Sequence, residues 1–407
     1  MKKILLRITA IITLLTISIY VMPAKGMNTV PNQYPLFQKG MTYVTWSKDS
    51  FMSAASDESI KAMADAGITS VSIVVTWYQQ EYNSIEIERT ERTPSDASVK
   101  HVIREARQHG MSVMLKPHID LISGDGNNRS DIGFNSEEKW EEWFSNYQKF
   151  VVRYANIAND EGAEFFCVGT ELTFATTKTS YWKDKILPKI KKVFRGQLVY
   201  AANWDEYSNV EFWDELDYVG IDAYFPLANK SDPSEEDLRQ GWEKWLGEIE
   251  TFQRKVNKPI VFTECGYTSS GTAATKPWED GTVGAPNTEL QAKCYKALFE
   301  TFWDKPWFLG VYWWNWNTYP GSGGPKNKGY TPQNKPALEC ITEWYNKLTR
   351  EKLTFITEKD KILGDTEVAE RLKIKASKQD ASGMKFSGEL AGKKDRAPYK
   401  EHNDPRL

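Results

Sequence analysis

Eight apolar runs with strand patterning alternate with helical patterns along most of this chain, and that alternation restricts its fold more than any other feature. Runs over 40–46, 70–77, 111–118, a fourth ending at Glu171, then 197–204, 216–225, 259–264 and 308–317 read as strands. They are short and rich in β-branched and aromatic residues, and Gly or Pro punctuates most of the junctions. Between them, 57–66, 97–109, 136–161, 180–194, 232–256, 288–303 and 336–348 carry helical spacing. Ser56 or Asp57 caps the first of these. Gly67, Gly110 and Gly162 stop three of them, and Pro188 predicts a kink in the fourth. Apolar strands alternating with helices require a parallel sheet covered by helices, and eight units point to a closed (β/α)8 TIM barrel. An open doubly wound sheet would need a glycine-rich phosphate turn after its first strand. The run from Met41 to Trp46 offers none.

The barrel is expected over 38–348, after a polar lead at 27–37. Before it, residues 1–26 read as a secretory signal, with Lys2 and Lys3 ahead of an apolar stretch and Ala24-Lys25-Gly26 as a small-residue cleavage site. The stretch is also close to the length of a short span, so an uncleaved anchor is the alternative. A signal implies a secreted or periplasmic protein. From 349 to 407 the composition turns to Lys, Glu and Asp with few aromatics, which predicts a disordered tail, with a small packed appendage over 351–375 as the alternative. Charges of both signs are well mixed and the net charge is -3, so nothing argues for nucleic acid or for stable association with an anionic membrane. A monomer is expected. The four cysteines fit no metal motif. Cys167 and Cys265 read as core residues. Cys294 and Cys340 could pair in an exported protein, although nothing in their spacing demands it.

The ends of the predicted strands carry the chemistry, because a TIM barrel places its active site there. Those ends hold Trp46, Trp77, His118, Glu171, Asn203 and Trp204, Asp222 and Tyr224, Glu264, and the run Trp313 to Trp316. Glu171 and Glu264 each close an apolar strand, where an unpaired buried carboxylate would be costly. A salt bridge to a Lys or Arg at the barrel top would explain either one alone. As a pair they suit glycoside hydrolysis, in which one carboxyl protonates the departing oxygen and the other attacks the anomeric carbon or activates water. The chain has 16 Trp, and indoles at the rim of a site give flat surfaces for sugar faces. His118 has no second His or Cys beside it, so it reads as an orienting or structural residue, and no metal or cofactor is implied.

The sequence resembles clan A of the glycoside hydrolases, and within it glycoside hydrolase family 113, whose characterised members are mainly β-1,4-mannanases. The stretches that carry the resemblance are 40–46, Lys116-Pro117-His118, Val168-Gly169-Thr170-Glu171-Leu172, 217–225, Thr263-Glu264-Cys265-Gly266-Tyr267, Val311-Tyr312-Trp313-Trp314-Asn315-Trp316 and 330–336. By position, the resemblance implies that Glu171 is the general acid/base and Glu264 the nucleophile of a retaining enzyme. Most of the clan has Asn before the acid/base, where it binds the sugar 2-hydroxyl; this chain has Thr170 there, and Asn203 is the expected substitute. Tyr224 is expected to hydrogen-bond Glu264 and keep it ionised, and Asp222 to hold Tyr224 or a loop. Trp314 is expected to form the floor under the bound sugar, with Trp316 on the same face and Trp46 and Trp77 lining the other side. Trp278, in the long loop 269–287, is expected to stack on a sugar beyond the cleaved bond. The expected activity is therefore cleavage of a mannan-type polysaccharide, by an endo cut. An exo-acting β-mannosidase, a β-glucan hydrolase on the same site, and a carbohydrate-binding barrel without catalysis are the alternatives.

Overall fold

The computed structural model describes residues 37–124, 126–279 and 284–347. The expected signal segment, most of the polar lead and the charged tail lie outside these residues. Among the described residues no helix is long and apolar enough to cross a membrane.

Eight strands close into a parallel barrel in sequence order: β1 (Gln38–Val44), β2 (Ser70–Gln79), β3 (Ser112–Leu121), β4 (Phe165–Thr170), β5 (Gln197–Asn203), β6 (Tyr218–Asp222), β7 (Ile260–Cys265) and β8 (Phe308–Asn317). β8 returns to pair with β1, so no edge is left open. The helices α1 (Ala54–Asp65), α2 (Asp96–Gln108), α3 (Glu137–Asp160), α4 (Thr173–Thr176), α5 (Leu187–Val193), α6 (Glu235–Val256), α7 (Thr288–Phe302) and α8 (Pro336–Asn346) fill the connections.

Local chemistry sets most of the helix boundaries. Ser95, Ser136 and Ser234 each accept a bond from an amide of the first turn, and Asp237 completes a capping box with Ser234. At α1 the cap is Ser53 rather than Ser56 or Asp57, so the helix starts about one turn earlier than expected. Gly110 and Gly162 follow α2 and α3 with φ of 78° and 73°, a left-handed conformation that glycine takes without strain. The kink expected at Pro188 takes the form of a π-helical stretch, Tyr181–Ile186, that runs directly into α5 with Pro188 in its first turn.

Two apolar layers result. Strand residues facing outward join the inner faces of the helices in one continuous core, where Trp313 stacks on Tyr295 with ring centres 3.8 Å apart. A smaller core fills the barrel itself, with Met114, Phe165, Cys167, Val199, Tyr218 and Tyr312 among its members. Cys167, Cys265, Cys294 and Cys340 are all free thiols, so the pair on the last two helices is not bridged.

Candidate active site

The two layers follow from the period of two along each strand. On β3, Met114 belongs to the barrel interior and Ile119 to the outer core. Lys116 and His118 continue the interior face of Met114. Polar side chains thus replace apolar ones as the interior approaches the C-terminal mouth, and the candidate residues collect there.

Two register slips place the two glutamates, and a third turns the tryptophans of β8. Between Cys167↔Val199 and Thr170↔Ala201, β4 advances three residues while β5 advances two. Such a bulge inverts the facing of everything after it. Thr170 therefore returns to the face of Cys167, and their side chains approach to 3.7 Å. Glu171 follows with φ of 51°, a left-handed conformation uncommon outside glycine, while its amide bonds the Ala201 carbonyl at 2.8 Å. On β7 a slip between Ile221↔Phe262 and Asp222↔Glu264 lets Thr263 and Glu264 both reach interior groups. On β8 a slip against β1 changes the facing of the tryptophans, as described below.

Glu264 is almost fully buried. Tyr224 donates to its Oε2 at 2.8 Å, as expected. Lys116, with no exposed surface, donates to its Oε1. Lys116 also lies 3.3 Å from both oxygens of Asp222, which accepts from Thr263 Oγ1 at 2.7 Å. Asp222 thus holds Lys116 and Thr263 rather than the Tyr224 ring. Burial and the charge of Glu264 push the Asp222 carboxyl well above its ordinary range, against the pull of Lys116. For Lys116 the two carboxylates outweigh desolvation and the ammonium is held charged.

His118 stands beside this group, with Nε2 3.5 Å from Glu264 Oε1 and no hydrogen-bond partner. Burial, with Lys116 and Arg129 nearby, holds its imidazole neutral, well below the usual histidine range. Its ring lies parallel to Trp314, which is half-buried at the mouth.

Glu171 is more open, its side chain 16% exposed. Arg129 donates to its Oε2 at 2.8 Å and is shared with Asp120 and with the Ile119 carbonyl, the last at 2.9 Å. The barrel-top salt bridge considered for a lone glutamate is therefore present. It engages one oxygen only, and burial together with the charge of Glu264 still raises the Glu171 carboxyl above its ordinary range. A carboxyl that tends to keep its proton beside a second carboxylate is the arrangement that acid-assisted glycoside cleavage uses.

Asn203, at the end of β5, accepts from the Trp204 amide through Oδ1 at 2.9 Å, so its Nδ2 is the group of that side chain that can donate elsewhere. Trp46, two residues past β1, is half-buried at the mouth. Trp278 is 46% exposed and stacks on Trp204, with ring centres 5.6 Å apart and planes 16° from parallel. Its loop is tied to the one after β8: Tyr330 Oη donates to the Pro277 carbonyl at 2.7 Å, and Lys335 Nζ to Ser269 Oγ at 2.7 Å.

Two expected residues fall elsewhere. Trp77 packs against Phe150 and donates its indole N–H to Tyr154 Oη at 2.8 Å, both on α3. It shares the outward face of Val71, Ile73 and Val75, so its place at a strand end does not bring it to the mouth. Trp316 is buried in the outer core with Trp313. From Met41↔Trp313 to Tyr43↔Trp316, β8 advances three residues against two, so Trp316 falls in phase with Trp313 and not with Trp314.

Lys116, Arg129 and Glu206 were not singled out from the sequence. A lysine inside an apolar strand was a usable signal, since lysine is almost never fully buried without a partner. Arg129, in a Gly/Asn/Asp loop, offered none. Glu206 is 1% exposed beneath the mouth. One His/Asp/Glu group among the described residues, Asp57, His101 and Glu105, has ligand-like spacing, but His101 bonds Asp57 at 2.8 Å and Glu105 bonds His109 at 3.2 Å across and along the outer helices.

The sequence profile of Glycoside Hydrolase Family 113 matches residues 41–335. A solved β-1,4-mannanase of that family is 27% identical, with 77% of this chain and 100% of that one covered at a TM-score of 0.70. The family's β-mannanase from Alicyclobacillus acidocaldarius is 26% identical over 76% of this chain and 97% of that one, with a TM-score of 0.69. A family 5 mannosidase from Rhizomucor miehei shares the fold at 14% identity and a TM-score of 0.54, over 77% of this chain and 93% of that one. No curated protein matches the chain by sequence.

Proposed function

Because this chain belongs to glycoside hydrolase family 113, we propose that it is a retaining β-mannanase that cuts internal β-1,4-mannosidic bonds of mannan-type polysaccharide. The observation that carries the reading is the unequal treatment of two carboxyls at one barrel mouth. Glu264 is held from both oxygens by Lys116 and Tyr224, whereas Glu171 keeps one oxygen uncommitted and its proton affinity raised.

In this reading a Glu264 oxygen attacks the anomeric carbon and forms a glycosyl ester. The bond to the leaving oxygen breaks as that oxygen takes the Glu171 proton. Water then attacks the same carbon and gives its proton to Glu171, and the ester bond returns its electron pair to Glu264. Lys116 and Tyr224 orient the attacking carboxylate and offset its charge. His118 Nε2, without a protein partner, and Asn203 Nδ2 serve sugar hydroxyls, the latter in place of the Asn that Thr170 replaces. Trp314 provides the floor, and Trp46 lines the mouth after β1.

The endo mode is supported by where large apolar side chains meet water. Phe174 follows β4, Trp278 follows β7 and Tyr319 follows β8, and their exposures are 54%, 46% and 60%. In a closed eight-stranded barrel β4 and β8 are diametrically opposed, so a sugar chain spanning the mouth would meet aromatic surface on both sides. We also read the chain as an exported monomer acting without metal or organic cofactor, on the segment 1–26 and the residues at the mouth.

Digestion of mannan, glucomannan, cellulose and xylan with product sizing tests the proposal. Mixed mannooligosaccharides from mannan, with retained anomeric configuration by NMR, are expected. Mannose alone from the first minutes would replace the endo cut by an exo one, release from cellulose alone would make it a β-glucan hydrolase, and no release at all would leave a binding barrel.

A further inference from the structure

Glu206 is a buried carboxylate that the proposed reaction does not use. It follows β5 and is 1% exposed. No Lys, Arg or His among the described residues pairs with it; four donors converge on it instead. Thr176 Oγ1 lies 2.8 Å and Tyr200 Oη 3.3 Å from its Oε1, and Thr173 Oγ1 lies 3.2 Å and the Asn203 amide 3.3 Å from its Oε2. Its own amide bonds the Asn203 carbonyl at 2.9 Å.

The donors fall on two segments. Thr173 and Thr176 bound α4, the four-residue helix that begins two residues after Glu171. Tyr200 and Asn203 belong to β5. Tyr200 joins the segments a second time: its hydroxyl donates to Glu206 and accepts the Leu172 amide at 2.8 Å. Leu172 is the residue after Glu171, which holds a left-handed conformation at the bulged end of β4. Such a backbone persists only where its surroundings fix it. The Ala201 carbonyl fixes it from one side and the Tyr200 hydroxyl from the other.

We propose that Glu206 is a positioning residue that, through Tyr200 and α4, sets Glu171 against Asn203, and so places the proton donor relative to the sugar it must protonate. The inference rests on the reading of Glu171 as the acid/base. A carboxyl suits the task, because each of its two oxygens accepts from both segments: Oε1 from Thr176 and Tyr200, Oε2 from Thr173 and the Asn203 amide.

The test compares kcat/KM on mannohexaose, whose leaving group needs protonation, with that on an aryl mannoside whose leaving group does not. The variants are Glu206→Ala, Glu206→Gln and Tyr200→Phe, with Glu171→Ala as reference. Glu206→Ala and Tyr200→Phe should lose about tenfold or more on mannohexaose, the scale of a sub-ångström misplacement, with under about threefold on the aryl mannoside. Glu206→Gln keeps the Oε1 acceptor for Tyr200 and Thr176 and should recover part of the loss. Tyr200→Phe removes a single oxygen from a packed ring, so it remains informative if Glu206→Ala folds poorly. Equal losses on both substrates, or no loss, in the relay variants while Glu171→Ala shows the split would overturn the relay alone. A Glu171→Ala enzyme without the split would overturn both the relay and the acid/base reading beneath it.

Discussion

Tyr224 donates its hydroxyl hydrogen to Glu264 Oε2 at 2.8 Å, from a ring whose own pKa burial and the adjacent carboxylate raise well above the phenol range. The tyrosine is therefore a fixed donor and Glu264 a fixed acceptor. A hydrogen bond to a charged group contributes about 1.5–3 kcal/mol. Tyr224→Phe should lower kcat/KM by about ten- to a hundredfold and, because the buried Glu264 carboxylate loses a donor, should also lower the melting temperature. Steady-state kinetics beside a thermal melt checks this.

Lys116 separates two buried carboxylates, and removing it leaves their charges uncompensated. Lys116→Met should cost about 3–5 kcal/mol of unfolding free energy in urea at neutral pH. Adding Asp222→Asn should restore part of it, because the surviving carboxylate then has no like charge to face. A double variant as unstable as the single one would show that the loss comes from packing.

The two glutamates should fail differently. Glu264→Ala should abolish turnover of every mannoside, since no ester can form. Glu171→Ala should retain more activity on an activated aryl mannoside than on oligosaccharide, and azide should partly restore it by attacking the glycosyl ester. Parallel losses would reverse or remove the assignment.

Trp278 lies at the rim, with one face covered by Trp204. If its open face meets a sugar beyond the cleaved bond, Trp278→Ala should weaken transition-state binding of long mannooligosaccharides by about 1–2 kcal/mol and barely alter a short aryl mannoside. An equal effect on both would place the indole outside the binding path.

Glu206 gives a pH dependence of stability whose sign is fixed by its burial. Desolvation pushes its carboxyl up from 4.5 to about 7. Below pH 4.5 folded and unfolded chains both carry the proton, and its stabilising effect is fully present. As pH rises through that window the unfolded chain releases the proton first, so it binds fewer protons and stability falls, levelling once the folded carboxyl has ionised near 7. The loss should be about 3 kcal/mol relative to Glu206→Gln, which cannot titrate. Urea unfolding of both proteins at pH 4.5 and pH 8 measures it; a constant difference between them would show that the carboxyl is not shifted.

What the sequence determined by itself is whatever depends on neighbours along the chain. Strand and helix periods, glycine stops and serine caps are local, so the eight strands, the barrel and the strand-end positions of Glu171 and Glu264 were legible without coordinates. The bond from Tyr224 to Glu264 was legible too, since both end adjacent strands. The face each strand-end residue presents depends instead on register, and register is a relation between two strands. Trp77 could have been placed outside by counting in twos from Val71. Trp316 could not, because one bulge against β1 reverses its side. The same kind of slip, on β4 and β7, lets Glu171 and Glu264 reach the mouth at all. Only the tertiary structure brings Lys116 from β3 to Glu264 on β7, Arg129 from a loop to Glu171, and Glu206 beneath α4. Residues this far apart in the chain meet because barrel closure puts every strand end around one mouth, where a buried charge must find its partner across the interior and not along its own strand.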